Sequence, residues 1–154
     1  MGRRVKIELH VEASRLFQMT NPSQQDIHDR CFLSDDNNGF TDSGKIEDFI
    51  SNVYLSKEIE WVGLTDDKWY SIAIDSIVYD LNLNNNNAEM CFGNDESDDF
   101  VVKGKGGISG NVVATVKDRQ SLVGLENIYK INFTVYYKEE SKSYMIDPKI
   151  AINP

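Results

Sequence analysis

The chain has 154 residues, 40% of them apolar and 27% charged, with a formal net charge of −9 at pH 7. That length is enough for one domain to bury a core without disulfide or metal staples. The acidic balance argues against a nucleic-acid partner, because phosphate-tracking proteins concentrate Lys and Arg on one face. No apolar run reaches the length of a membrane span.

Val5, Ile7, Leu9 and Val11 alternate with Lys6, Glu8, His10 and Glu12, which predicts a strand with one wet face and places His10 on it. Ala13 to Met19 reads as a helical turn or irregular chain that stops before Pro22, since the ring disfavours a helical Asn21. Residues 21–44 are rich in Asp, Asn, Ser and Gly, and are expected to form a long surface connection with a short buried strand near Cys31. Ile46 to Tyr54 lacks clean periodicity. Glu58 to Gly63 starts an alternating strand with Ile59 and Trp61 facing one way, and Thr65-Asp66-Asp67-Lys68 turns the chain. Trp69 to Leu81 is the longest apolar-rich segment, and a slip of phase at Ile77-Val78-Tyr79 suggests a bulge or a switch between sheets.

Asn82 to Asn87 and Gly93 to Asp99 are turn-forming and solvated, with a short strand over Ala88 to Phe92 between them. Gly104 to Gly110 reads as a glycine-rich β connection, because it lacks the Lys-Ser/Thr ending and following helix of a phosphate loop. Asn111 to Val116 alternates again. Tyr129 to Tyr137 alternates strictly, Lys138 to Lys142 turns the chain, and a last strand ends at Pro148. No internal repeat or Pro/Gly-rich linker divides the chain. The expected fold is therefore all-β: a single antiparallel β-sandwich over residues 1–154, Ig-like or jelly-roll-like, with about seven or eight strands.

Chemistry is harder to find. Arg3-Arg4 and Lys6 form the only basic cluster, and no apolar h-region follows them, so a cytoplasmic location is expected. In a reducing compartment Cys31 and Cys91 are expected as free, buried or half-buried thiols. The spacing of His10, His28, Cys31 and Cys91 matches no zinc pattern. Ser34 to Gly39 superficially resembles a calcium loop, but the twelfth position is Lys45 where an EF-hand needs a bidentate Glu. A looser Ca²⁺ site would draw on Asp35, Asp36 and Asp42, or on Asp95, Asp98 and Asp99 in the acidic run, which otherwise reads as a solvated loop. No Gly-x-Ser-x-Gly elbow is present, so no catalytic residue is assigned. An aspartate-dependent hydrolase would need pairs such as Asp66-Asp67, or Asp75 with Asp80, to converge. Trp69, Tyr136 and Phe40 near the loops would suit a sugar-stacking platform, but Trp61 and Trp69 read first as core anchors.

Several stretches, in order along nearly the whole chain, resemble the AidA/PixA family of bacterial inclusion-body proteins. The strand Val5 to Val11 runs through Ala13-Ser14-Arg15-Leu16 to Asn21-Pro22-Ser23, and Leu55 to Trp61 is similar to the family's turn followed by a strand. The ending matches best: Glu126 to Phe133, then Tyr144, then Asp147-Pro148-Lys149-Ile150. The Asp-Pro-x-Ile ending is shared with the DP-EP group of small bacterial β-proteins, and this chain has Met145-Ile146 where the family tends to be aromatic. The resemblance implies a non-enzymatic cytoplasmic protein that self-associates into a homo-oligomer or higher assembly, linked to host association, with no cofactor. The alternative, from the loops and aromatics, is a small-ligand or carbohydrate-binding module assisted by calcium. Asp147 itself reads as a residue that ends a strand.

Overall fold

A computed structural model describes residues 2–80, 90–92, 101–104 and 106–154. The alternation in the sequence becomes strand. β1 (Val5–Val11) buries Val5, Ile7, Leu9 and Val11 and leaves the intervening side chains on the other face. α1 (Ala13–Gln18) follows, burying Leu16 and Phe17, and ends before Asn21, whose φ of 51° breaks the helical path. Residues 21–44 hold more structure than a surface connection. α2 (Gln24–Asp29) is started by a capping box, in which Ser23 Oγ accepts from the Asp26 backbone N–H and the Asp26 carboxylate accepts from that of Ser23. β2 (Cys31–Asp35) comes next, and the chain then folds through a 3-10 turn at Ile46–Asp48 into β3 (Ile50–Tyr54).

β4 (Glu58–Leu64) and β5 (Tyr70–Tyr79) flank the Thr65–Lys68 turn, and β6 (Val101–Lys103) and β7 (Val112–Thr115) follow. β8 (Glu126–Tyr137), β9 (Glu140–Ile146) and β10 (Lys149–Asn153) complete the described strands. The β8–β9 hairpin is tighter than the polar run suggested: Tyr137 pairs with Glu140 across a two-residue loop in which Lys138 takes a φ of 54°. The bulge in β5 falls between Ile74 and Ser76, three residues earlier than the phase slip indicated. Of the strand expected at Ala88 to Phe92, only residues 90–92 are described, and Phe92 bridges Val116. The expected turns at 82–87 and 93–99 lie outside the described residues.

Two mixed sheets result. One has the order β2-β1-β4-β7, and the other β3-β10-β8-β5-β6, with β9 also paired to β8. Purely antiparallel sheets were expected, yet β1 lies parallel to β4 and β10 parallel to β3. The reason is that period-two alternation records which face a residue occupies and not which way its neighbour runs. The long β1-to-β4 excursion through two helices and two strands supplies the crossover that a parallel pair needs.

Side chains from both sheets enter one continuous hydrophobic cluster. Trp61, Tyr129 and Phe92 form its aromatic centre, with ring centroids 5.8 to 6.2 Å apart in edge-to-face contacts. Gly63 of β4 permits a close approach to β5, since a Cβ there would lie 2.4 Å from Ile72 Cγ2. Gly104 does the same beside the bulge, where a Cβ would meet the Ile74 carbonyl oxygen at 2.7 Å. Cys31 and Cys91 are free thiols buried in the core, and burial pushes the Cys91 thiol up to about 12. Among the described residues, no helix is long and apolar enough to cross a membrane.

Candidate functional site

The solvent face of the β2-β1-β4-β7 sheet changes character along its length. At one end Arg4 pairs with Glu60 at 3.1 Å and with Glu58 at 3.9 Å, a solvated ion-pair patch. At the other end the register places His10 beside Phe32 on one side and Leu64 on the other. All three occupy the outward phase of their strands. The His10 and Phe32 rings stack with centroids 4.3 Å apart and planes within 2°, and Phe40 extends the row with its centroid 6.4 Å from Phe32. Phe40 is 67% and Leu64 41% exposed, so the row is an apolar stripe open to solvent.

An open cleft of about 340 Å³ adjoins this stripe, and its lining includes His10, Phe32, Ser14, Arg15, Asp66 and Asp67. The volume falls in the range of small-ligand sites. Part of this lining is held in place by the backbone: Ser14 N–H, at the start of α1, donates to Asp67 Oδ2 at 2.9 Å, and Asp67 N–H is turned toward Thr65 Oγ1 at 3.3 Å. Arg15 remains tied to Glu12 at 3.6 Å. The cleft thus combines aromatic faces, carboxylates, a hydroxyl residue and a guanidinium, groups that bind polyols and sugars through stacking and hydrogen bonds.

Ser34, His10 and Glu8 come close together, but not as a nucleophile relay. Ser34 Oγ lies 3.2 Å and Glu8 Oε2 3.6 Å from the same ring nitrogen, His10 Nε2. A triad needs the carboxylate on one nitrogen and the hydroxyl on the other, so that the imidazole can pass a proton between them.

Trp69 reverses the core reading. Trp61 is 1% exposed, whereas Trp69 is 82% exposed and takes a φ of 71°, two residues past Asp67. A non-glycine residue there costs about 1–2 kcal/mol of backbone energy. Replacing Trp69 with glycine should leave stability unchanged or raise it by up to about 1 kcal/mol, because relief of that strain is offset by glycine's greater freedom in the unfolded chain. Urea unfolding followed by Trp61 emission measures this, and a lowered midpoint would show Trp69 to be a packing residue. Phe40 is exposed, as a platform requires, while Tyr136 is half-buried.

The aspartates singled out in the sequence are dispersed. Asp35 is a structural hub: Oδ1 accepts from the backbone N–H groups of Asn37 and Gly39, each at 2.7 Å, and Oδ2 from Ser51 Oγ at 2.5 Å. Asp36 accepts from Lys6 N–H and pairs with Arg3 at 3.2 Å. Asp42 sits in the turn before the Ile46–Asp48 segment, its carbonyl accepting from Lys45 N–H. Asp95, Asp98 and Asp99 lie outside the described residues. Asp75 is hydrogen-bonded to Thr134 of β8, and Asp80 follows five positions along extended chain, a span of about 16 Å at strand rise, so the two do not form a carboxylate pair.

Sequence reasoning missed the group the fold does assemble: His28, Glu47 and Asp147, whose candidate ligand atoms lie within 4.8 Å of one another. They are 19 and 100 positions apart, so no local spacing announces them. The available signals were a histidine in a turn started by a capping serine, and the Asp-Pro at the end of β9.

No protein-family model matches this chain, and no curated protein matches it either. A solved structure does. The crystal structure of a PixA inclusion body protein from Burkholderia cenocepacia J2315 aligns over 98% of this chain and 96% of its own, with a TM-score of 0.52 and 8% sequence identity. The two chains share a fold. At that identity the likeness covers the path of the backbone and carries no side chain across.

Proposed function

We propose that this chain is a non-enzymatic, cytoplasmic β-sandwich protein of the inclusion-body type, which self-associates into a large assembly. The supporting observation is the near-complete coverage, in both directions, of its fold alignment with the Burkholderia protein. A second copy of the chain is the natural occupant of the Phe40–Phe32–His10–Leu64 stripe. Large apolar side chains gain about 1.5–3 kcal/mol each on full burial, and a facing copy buries the same set twice.

The net charge of −9 opposes association of like copies at low ionic strength. Salt shortens the Debye length from about 30 Å at 0.01 M to about 8 Å at 0.15 M, which screens that repulsion. Sedimentation velocity across protein concentration and salt should therefore show reversible growth that strengthens between these two conditions. Large species that dissolve as salt is added would sink the reading, since they would have to be held by charge pairing.

The cleft favours a second reading, a small-ligand or carbohydrate-binding module. A glycan array run with and without chelator separates the two: an assembly protein gives no specific signal, whereas a calcium-assisted module gives one that the chelator removes.

A further inference from the structure

His28 comes from the last turn of α2, Glu47 from the 3-10 turn, and Asp147 from the β9–β10 junction. His28 is 1% exposed, and its two ring nitrogens face different carboxylates: Nδ1 is 3.6 Å from Glu47 Oε1 and Nε2 is 3.3 Å from Asp147 Oδ1. Gln24 is fastened by its amide to the Met145 carbonyl at 2.6 Å and also stands 3.1 Å from His28 Nε2. An imidazole nitrogen carries a single lone pair, so an ion bound at Nε2 takes the place of the Gln24 amide contact, while Gln24 keeps its bond to the Met145 carbonyl. Asp147 Oδ1 is a buried oxygen with no hydrogen bond. A buried acceptor without a donor is a place where a water or an ion is held.

Two carboxylates, those of Glu47 and Asp147, face the His28 ring from opposite nitrogens. Lys130 is spent on Asp80, at 3.9 Å. A bound cation would satisfy both carboxylates at once. Donors at about 2.0–2.1 Å from one tetrahedral ion stand about 3.3–3.4 Å apart, and the 3.3 Å between His28 Nε2 and Asp147 Oδ1 fits. The Glu47 side chain is 68% exposed and free to rotate, and Asp147 is 22% exposed, so an ion has a route in from solvent.

We propose that His28, Asp147 and Glu47 bind one divalent ion of the zinc class, with His28 Nε2 and Asp147 as direct ligands, Glu47 turning in as the third and water completing the shell. An imidazole donor selects this class over calcium, which takes oxygen ligands. The site is separate from the 35–42 loop and from the cleft, and it does not depend on self-association.

The test uses the full chain stripped with chelator, then Zn²⁺ in equilibrium dialysis, with Co²⁺ as a spectroscopic probe and Ca²⁺ as control. One Zn²⁺ per chain is expected. Glu47→Gln, at an exposed position that should not disturb folding, should weaken binding about tenfold, and Asp147→Asn by more. A stoichiometry well below one, or binding that neither substitution alters, overturns the proposal; the second result would point to Cys31 or Cys91 instead. Stability gives an independent readout. Saturating Zn²⁺ at pH 7 should raise the melting temperature of the wild-type chain, and should raise that of Asp147→Asn by less. A wild-type melting temperature that does not respond to Zn²⁺ would leave the group a buried imidazole–carboxylate pair and end the metal assignment.

Discussion

Trp61→Ala is expected to lower stability by about 3–5 kcal/mol, the range for removing a large aromatic from a packed core. Three losses combine. The indole is 1% exposed and makes edge contacts with both Phe92 and Tyr129, so its removal opens a cavity between the sheets. Trp61 Nε1–H also donates to Tyr129 Oη at 3.1 Å, and Tyr129 is fully buried, so its hydroxyl would be left in that cavity without its donor. Burial already holds the Tyr129 phenol above its ordinary range, a sign of how little water reaches it. Against a typical total of about 5–15 kcal/mol, such a loss should lower the melting temperature by roughly 10–20 °C. Far-UV circular dichroism during urea unfolding is the appropriate measurement, because the remaining tryptophan, Trp69, is exposed in the folded state and reports the transition poorly. Trp61→Phe keeps ring contacts but not the hydrogen bond, and should cost about half as much. A loss under about 1 kcal/mol for the alanine variant would mean that the aromatic trio does not bind the two sheets together.

The double variant Phe40→Lys, Leu64→Lys should raise the protein concentration needed for assembly by more than about tenfold, since about 1.4 kcal/mol of lost burial is already a factor of ten. Lysine makes the test stringent. Two added positive charges change the net charge from −9 to −7, which weakens repulsion between copies and by itself would promote association. Loss of assembly despite that change identifies the stripe as the contact. Sedimentation velocity at 0.15 M salt reads the outcome, and unaltered assembly would move attention to sheet edges such as β3, which pairs only with β10 among the described strands. Both positions are exposed, so the variants should fold as the parent does.

Much of the local structure was legible in the chain. The alternation in Val5–Val11 and Tyr129–Tyr137 marked which side chains enter the core, because a strand's side chains must point to opposite faces in turn. Pro22 marked a limit to the first helix. The Ser23 and Asp26 pair, three residues apart, carried a helix-start signal that the surrounding polar composition concealed. Trp69 was misread because hydrophobicity ranks a tryptophan as core, whereas its backbone closes the β4–β5 connection in a left-handed conformation and turns it outward.

What the sequence determined by itself was therefore the two-sided strands, the burial of Trp61 and the acidic surface, all properties of residues and their near neighbours. Only the tertiary structure decided that β1 and β4 run parallel, that His10, Phe32, Phe40 and Leu64 form one stripe, and that His28, Glu47 and Asp147 meet. The physical reason is that strand direction and side-chain convergence depend on how distant segments close upon one another. Periodicity along the chain states which face a residue takes, and carries no record of the partner it will face.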